Sequence, residues 1–138
     1  MRKKFVFDAC ALIAFLNDEA GSDIVEELLE KAKHGKTDLI MNKVNLLEIY
    51  YGVYREDGEE TAESVLQTIE KLPLQIIHLI SDEVFLEAGR LKAKHKISLA
   101  DSIAVAEANI RKSLLVTADH HELDKLEGLN IFKPYWIR

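Results

Sequence analysis

Short β-prone runs alternate with longer helical segments along the chain, and this alternation most constrains the fold. The β-prone runs are residues 5–7, 39–41, 75–79, 114–117 and 130–132. The predicted helices are residues 9–16, 22–35, 44–54, 62–72, 81–94, 98–112 and 119–126. Strands joined by helical crossovers form parallel sheets that helices cover on both faces. The sequence therefore predicts an α/β fold with one domain over residues 1–138. We expect a mainly parallel central sheet of four to five short strands, with helices on both faces.

Length, charge and cysteine content exclude several classes of protein. The 138 residues suit one domain, and a single cysteine excludes a disulfide framework or a Cys-rich zinc site. The net charge of −6 argues against a protein that coats DNA, because such affinity comes largely from Lys and Arg. The longest run without a charged residue, 72–81, is far shorter than a membrane span. Because Asp8 interrupts the apolar run that follows the basic N-terminus, we expect no signal peptide, no membrane association and a cytoplasmic protein.

Four carboxylates lie in otherwise apolar segments of the sequence. They are Asp8, Glu48, Asp101 and Asp119. Burying an isolated carboxylate costs several kcal/mol or shifts its pKa until it is neutral. Such acids are retained when they cap a helix, pair with a base or bind a cation.

Three of these acids also have an interpretation as helix caps. Asp8 directly precedes the first predicted helix. Asp101 follows Ser98, and Asp119 precedes Glu122, at the spacing of a capping box. Capping and function are compatible, because a helix N-terminus holds a carboxylate in place.

Glu48 falls in the middle of a predicted helix, where no cap accounts for it. The structural alternative is an edge-exposed side chain that reaches solvent. Asp8 and Asp119 follow strands, so both are expected at the sheet edge where ligands bind. If all four acids meet there, a hard cation such as Mg²⁺ or Mn²⁺ would offset their charges. A carboxylate cluster of this kind is typical of metal-assisted phosphodiester hydrolysis.

The sequence resembles PIN-domain ribonucleases, most of all the small toxins of VapBC toxin–antitoxin pairs. The matching segments are FVFDACALIAFL, NKVNLLEIYYGV, SLADSIAVAEA and SLLVTADHHEL, together with the ending NIFKPYWIR. The resemblance implies a PIN-like fold and an Mg²⁺- or Mn²⁺-dependent endoribonuclease that is usually dimeric and is inhibited by a small antitoxin. Asn45 departs from the pattern, since a small hydroxyl residue is common at its position.

The resemblance also implies roles for individual residues. Asp8 and Asp101 would be direct metal ligands, while Glu48 and Asp119 would complete the site directly or through water. Thr117 stands where the family often places a hydroxyl, so it would support the last acid or a water on the metal.

The densest basic stretch contains Arg90, Lys92, Lys94 and Lys96. One interpretation is a solvated helix end, because cations are favoured near a helix C-terminus. The alternative is a surface that holds the RNA backbone against an acidic protein.

The predicted helix 44–54 is apolar over more of its surface than one buried face requires. The excess predicts a groove for an antitoxin segment or a contact between two copies, and helix 62–72 could complete that groove.

Two other functions remain open at the level of sequence. A non-catalytic PIN-fold module that binds RNA or protein would keep the fold alone, and its signature would be the loss of one or more acids. An aspartate-based phosphatase that uses Asp8 would want a second acid two residues later, where this chain has Cys10.

Overall fold

The computed structural model describes residues 2–138 as a five-stranded, all-parallel sheet with helices on both faces. The elements are, in chain order, β1 (Lys3–Phe7), α1 (Ala9–Leu16), α2 (Ser22–Lys33), β2 (Thr37–Asn42), α3 (Lys43–Asp57), α4 (Glu59–Glu70), β3 (Gln75–Ile77), α5 (Asp82–Lys94), α6 (Leu99–Ile110), β4 (Leu114–Thr117), α7 (His120–Gly128) and β5 (Pro134–Trp136). The strand order is β3-β2-β1-β4-β5. The predicted fold class is confirmed.

Strand β1 lies at the centre of the sheet and organises both halves of the core. Val6 aligns with Ile40 of β2 and with Leu115 of β4. Successive side chains of a strand point to opposite faces. Phe5 and Phe7 therefore pack with α1 to α4, while Val6 packs with α5, α6 and α7. This double burial explains why the β1 run is apolar without alternation.

The helix starts follow the polar residues that the sequence places there. Ser81 caps α5 by accepting a hydrogen bond from the Val84 amide at 3.2 Å. Ser98 caps α6 in the same way, and Asp8 and Asp119 cap α1 and α7. The cap interpretations of these acids are confirmed as local structure.

The last strand lies further along the chain than the sequence predicts. Residues 130–132 were expected to form it, but β5 is Pro134–Trp136. Asn130 adopts a left-handed conformation with φ 60°, and Ile131 donates to the Leu126 carbonyl, so these residues end α7 instead. Pro134 is tolerated because β5 pairs with β4 alone and is an edge strand.

Within residues 2–138, the structure contains no helix that is both long enough and apolar enough to cross a membrane.

Candidate active site

The sheet order places the ends of β1 and β4 side by side. Asp8 follows β1, and its amide donates to the Val116 carbonyl of β4 at 3.3 Å. Thr117 is the last residue of β4, and Asp119 comes two residues later. Two acids from distant parts of the sequence therefore meet at the carboxyl edge of adjacent parallel strands.

Asp8 is buried with one carboxylate oxygen used and the other free. Oδ1 accepts from the Ala11 amide at 2.9 Å, which caps α1. Oδ2 is buried and has no hydrogen-bond partner within residues 2–138. Burial raises the pKa of Asp8 to about 7, although the Ala11 amide and the nearby Thr117 hydroxyl, which lies outside hydrogen-bond geometry with Oδ2, favour the charged form. A buried, unsatisfied carboxylate oxygen is costly, and this one requires an explanation beyond capping.

Asp101 enters the same space from the first turn of α6. Its amide donates to Ser98 Oγ at 3.2 Å, so the cap orients the residue while its carboxylate is left for other contacts. Burial, together with the negative charges of Asp8 and Asp119, raises the pKa of Asp101 to about 8. Asp101 is therefore near enough to these acids for their charges to disfavour its ionised form.

Glu48 reaches the acids from the middle of α3. Its side chain is half-buried, and its pKa is raised mainly by burial and, to a smaller extent, by the charges of Asp119 and Glu122. The structure thus brings Asp8, Glu48, Asp101 and Asp119 together electrostatically. It also adds Glu122, which the sequence suggested only as a capping-box partner.

Thr117 is fully buried at the end of β4, next to both Asp8 and Asp119. Its Oγ1 accepts from the Asp119 amide at 3.0 Å. Asp119 Oδ1 in turn accepts from the Glu122 amide at 3.1 Å and caps α7. The hydroxyl therefore sets the direction in which the chain leaves β4.

Asn45 connects the two helices that carry Glu48 and Asp101. It is fully buried, and its Nδ2 donates to the Ala100 carbonyl at 3.0 Å. Its Oδ1 is buried without a hydrogen-bond partner in the described chain. The sequence singled out Asn45 only as a departure from a pattern. Its structural role, which is to hold α3 against α6 beside Asp101, depends on a contact across 55 residues of sequence.

Comparison with known proteins identifies the family. A family model described as PIN domain matches residues 5–129. The chain belongs to the PIN domain family. A search of curated proteins gave no match.

Solved structures share the fold of this PIN domain at low sequence identity. DNA-bound VapBC from Salmonella typhimurium matches with a TM-score of 0.74 and 16% identity over 100% of both chains. VapBC2 from Rickettsia felis, bound to a promoter DNA fragment, matches with a TM-score of 0.73 and 19% identity over 96% of this chain and 98% of that chain. A toxin–antitoxin complex from Klebsiella pneumoniae matches with a TM-score of 0.61 and 19% identity, covering 89% of this chain and 92% of that chain.

The acids of this PIN domain fit a cation that keeps part of its hydration shell. No three acidic, His or Cys side chains of residues 2–138 form a ready-made metal site. Mg²⁺ usually retains several waters and needs only one or two carboxylates from the protein. The free Oδ2 of Asp8 and the raised pKa values of Asp8 and Asp101 are the features such a cation would relieve.

The basic residues singled out in the sequence separate into two groups. Arg90 pairs with Glu87 on its own helix, and Lys92 Nζ donates to the Ile97 carbonyl at 2.7 Å. Both therefore have partners in the PIN domain itself. Lys94 and Lys96 instead line a pocket beside α7.

Proposed function

We propose that this PIN domain is an Mg²⁺- or Mn²⁺-dependent endoribonuclease that hydrolyses RNA phosphodiester bonds. The observation that carries the proposal is the placement of Asp8 and Asp119 at the adjacent ends of β1 and β4, with Glu48 and Asp101 near enough to interact with them electrostatically. The pKa values of Asp8, Glu48 and Asp101 are all raised, because burial and repulsion by neighbouring acids disfavour their charged forms. A structural cluster would relieve that cost with protein partners, whereas a nuclease relieves it with a cation.

Each residue of the site has a proposed task. Asp8 and Asp101 hold the cation directly, and Glu48 and Asp119 complete the site directly or through water. Thr117 supports Asp119. When bound, the cation supplies activation of water and neutralisation of the charge that develops on the phosphate. By fixing the position of the cation at one edge of a rigid sheet, the carboxylates would also fix where a phosphodiester bound to that cation lies.

We further propose that the protein is the toxin of a toxin–antitoxin pair. The solved structures that share its fold include VapBC complexes. An apolar groove runs between α1, α3 and α4, where an antitoxin segment would bind. Its apolar lining is Ile13, Leu16, Ile49, Val53 and Val65. Isothermal titration with the product of an adjacent gene tests this assignment, and a Val53→Asp variant is expected to lose binding.

A homodimer in the cytoplasm is the proposed working state. Leu47, Tyr51 and Tyr54 lie along one outward face of α3 and are all exposed. Covering such a face with a second copy would remove apolar surface from water. Sedimentation velocity tests the proposal: the wild type is expected to sediment as a dimer and Leu47→Lys as a monomer.

RNA cleavage by purified protein tests the nuclease. Labelled RNAs are incubated with Mg²⁺ or Mn²⁺, with EDTA, and with Asp101→Asn purified in parallel. Asp57→Asn, at the exposed end of α3, is the matched control for the same chemical change. Removing one acid that would hold the charge-neutralising cation is expected to lower kcat by at least about 100-fold.

The outcomes separate the proposal from its alternatives. Metal-dependent cleavage that Asp57→Asn retains and Asp101→Asn loses supports a nuclease at this site. Binding of RNA without cleavage by any variant would favour a non-catalytic module. Equal cleavage by wild type and Asp101→Asn would contradict the proposed site. The phosphatase alternative gains no support, because burial raises the pKa of Cys10 to about 11 and leaves a neutral thiol where that mechanism wants an acid.

A further inference from the structure

A pocket with basic walls opens between the end of α5 and the start of α7. Lys94 and Lys96 line one side, and His121 and Lys125 line the other. Glu122 is the acidic residue of its lining. The lining therefore carries three lysines against one acid, on a chain whose net charge is −6.

The pocket adjoins the acid cluster, because the two share Glu122. The same residue lines the pocket and raises the pKa values of Glu48 and Asp101 through its charge. His121 follows Asp119 by two residues on the first turn of α7. A chain bound across the acids would therefore enter or leave past the basic walls.

The lysines of the pocket are not engaged by the protein. Lys94, Lys96 and Lys125 are exposed, and none forms an ion pair or a side-chain hydrogen bond within residues 2–138. Their neighbours Arg90 and Lys92 differ, because Arg90 pairs with Glu87 and Lys92 donates to the Ile97 carbonyl. Several unpaired cations around one cavity suit an anion with several oxygens, such as a phosphodiester.

We propose that this pocket, formed by Lys94, Lys96, His121 and Lys125, is a subsite for a backbone phosphate of single-stranded RNA that flanks the scissile bond. The inference rests on the proposed ribonuclease function and adds to it the side of the site on which the RNA runs. It takes Lys94 and Lys96 from the basic stretch that the sequence singled out and adds His121 and Lys125 of α7. Phosphate contacts of this kind position a substrate without reading its sequence.

RNA binding without cleavage tests the subsite. Fluorescence anisotropy with a labelled poly(U) oligonucleotide is measured in EDTA, in an Asp101→Asn background. The pocket variant is Lys94→Gln with Lys125→Gln. The control is Lys33→Gln with Lys36→Gln, which removes the same number of positive charges. Both control lysines are exposed and lie between the end of α2 and the start of β2, at the amino edge of the parallel sheet, whereas the acids lie at its carboxyl edge.

The two double variants are expected to differ in affinity and in salt dependence. Losing one or two phosphate contacts lowers the slope of log K against log salt by about 0.7–1.4 and weakens binding roughly 10-fold at low salt. The control is expected to change Kd by no more than about 2-fold, because screened distant charges contribute little. Lysine-to-arginine replacement at the two pocket positions is expected to restore binding, since it keeps both charges.

Cleavage assays distinguish failure of the subsite from failure of the proposed function. With Asp101 intact, the pocket variant is expected to raise KM roughly 10-fold and to change kcat little, because a flanking contact contributes to substrate binding in the ground and transition states alike. Equal Kd and KM effects in the pocket and control variants, with cleavage retained, would overturn the subsite alone. A wild type that neither binds nor cleaves RNA would overturn both.

Discussion

Replacing Asp101 with Asn is expected to stabilise the metal-free protein at pH 8.5 and to leave its stability nearly unchanged at pH 5. Burial, followed by the charges of neighbouring acids such as Asp8, raises the pKa of Asp101 from 3.8 to about 8. Between these two values the folded protein keeps a proton that the unfolded chain has released. The folded state therefore binds more protons, and stability falls as the pH rises through that window. An amide at this position carries no such penalty.

The magnitude follows from the size of the shift. One pKa unit corresponds to about 1.4 kcal/mol, so the full shift of Asp101 sets a ceiling near 6 kcal/mol. The repulsion by Asp8 is shared between the two carboxyls, and the new amide has its own desolvation cost of about 1–3 kcal/mol. We expect a net gain of about 2–3 kcal/mol at pH 8.5, which raises the thermal midpoint by roughly 6–12 °C in a chain of this size.

Urea denaturation in EDTA at pH 5 and pH 8.5 measures this difference directly. The exposed Asp57→Asn is the control, and it is expected to change stability by less than about 0.5 kcal/mol at either pH. Adding Mn²⁺ at pH 8.5 should stabilise the wild type more than Asp101→Asn, because the cation binds the folded acids selectively. An Asp101→Asn protein that is equally or less stable than wild type at pH 8.5 would refute the electrostatic argument.

Three further predictions follow from single contacts. Thr117→Val leaves the partly buried Asp119 amide without its 3.0 Å acceptor, so we expect the free energy of unfolding in urea to fall by about 1–2 kcal/mol. The same change removes a hydroxyl that lowers the pKa of Asp8, so the acid limb of the pH–rate profile should move to higher pH. Glu107 is almost fully buried and accepts hydrogen bonds from Asn42 Nδ2 at 2.7 Å and from Arg111 Nε at 2.9 Å. Glu107→Ala leaves both donors without their acceptor, so it should lower the free energy of unfolding in urea by about 3 kcal/mol. Gly21→Ala brings a Cβ within 2.7 Å of the Ile137 carbonyl, whereas Gly35→Ala meets open space. Both have positive φ, so calorimetry should show a loss of about 1 kcal/mol at Gly35 and a loss at least twice as large at Gly21.

Some of the site could be predicted because its signals are local. Capping by Asp8, Ser98 and Asp119 depends on residues within three positions of each other, and the sequence contains that information directly. The isolation of Glu48 in an apolar helix is also visible in the sequence, because every neighbour on its face is known from the helical repeat.

Other parts depended on contacts that no local pattern contains. The bond from Asn45 to the Ala100 carbonyl joins two helices that are far apart in the chain. The division of the basic stretch required the partners of Arg90 and Lys92, one of which is a backbone carbonyl in the following loop. The last strand was misplaced because Asn130 takes a left-handed conformation that ends α7.

The sequence by itself determined the element types, their order and the set of acids, because periodicity, caps and unpaired charge are short-range properties of the chain. Tertiary structure alone decided that the acids share one space. That result depends on the strand order, which puts β1 between β2 and β4 and brings Asp8 to Asp119. Strand order is set by packing on both faces of the sheet, since each helix must cover an apolar surface that other segments build. The proximity of groups more than 100 residues apart is therefore a property of the folded sheet.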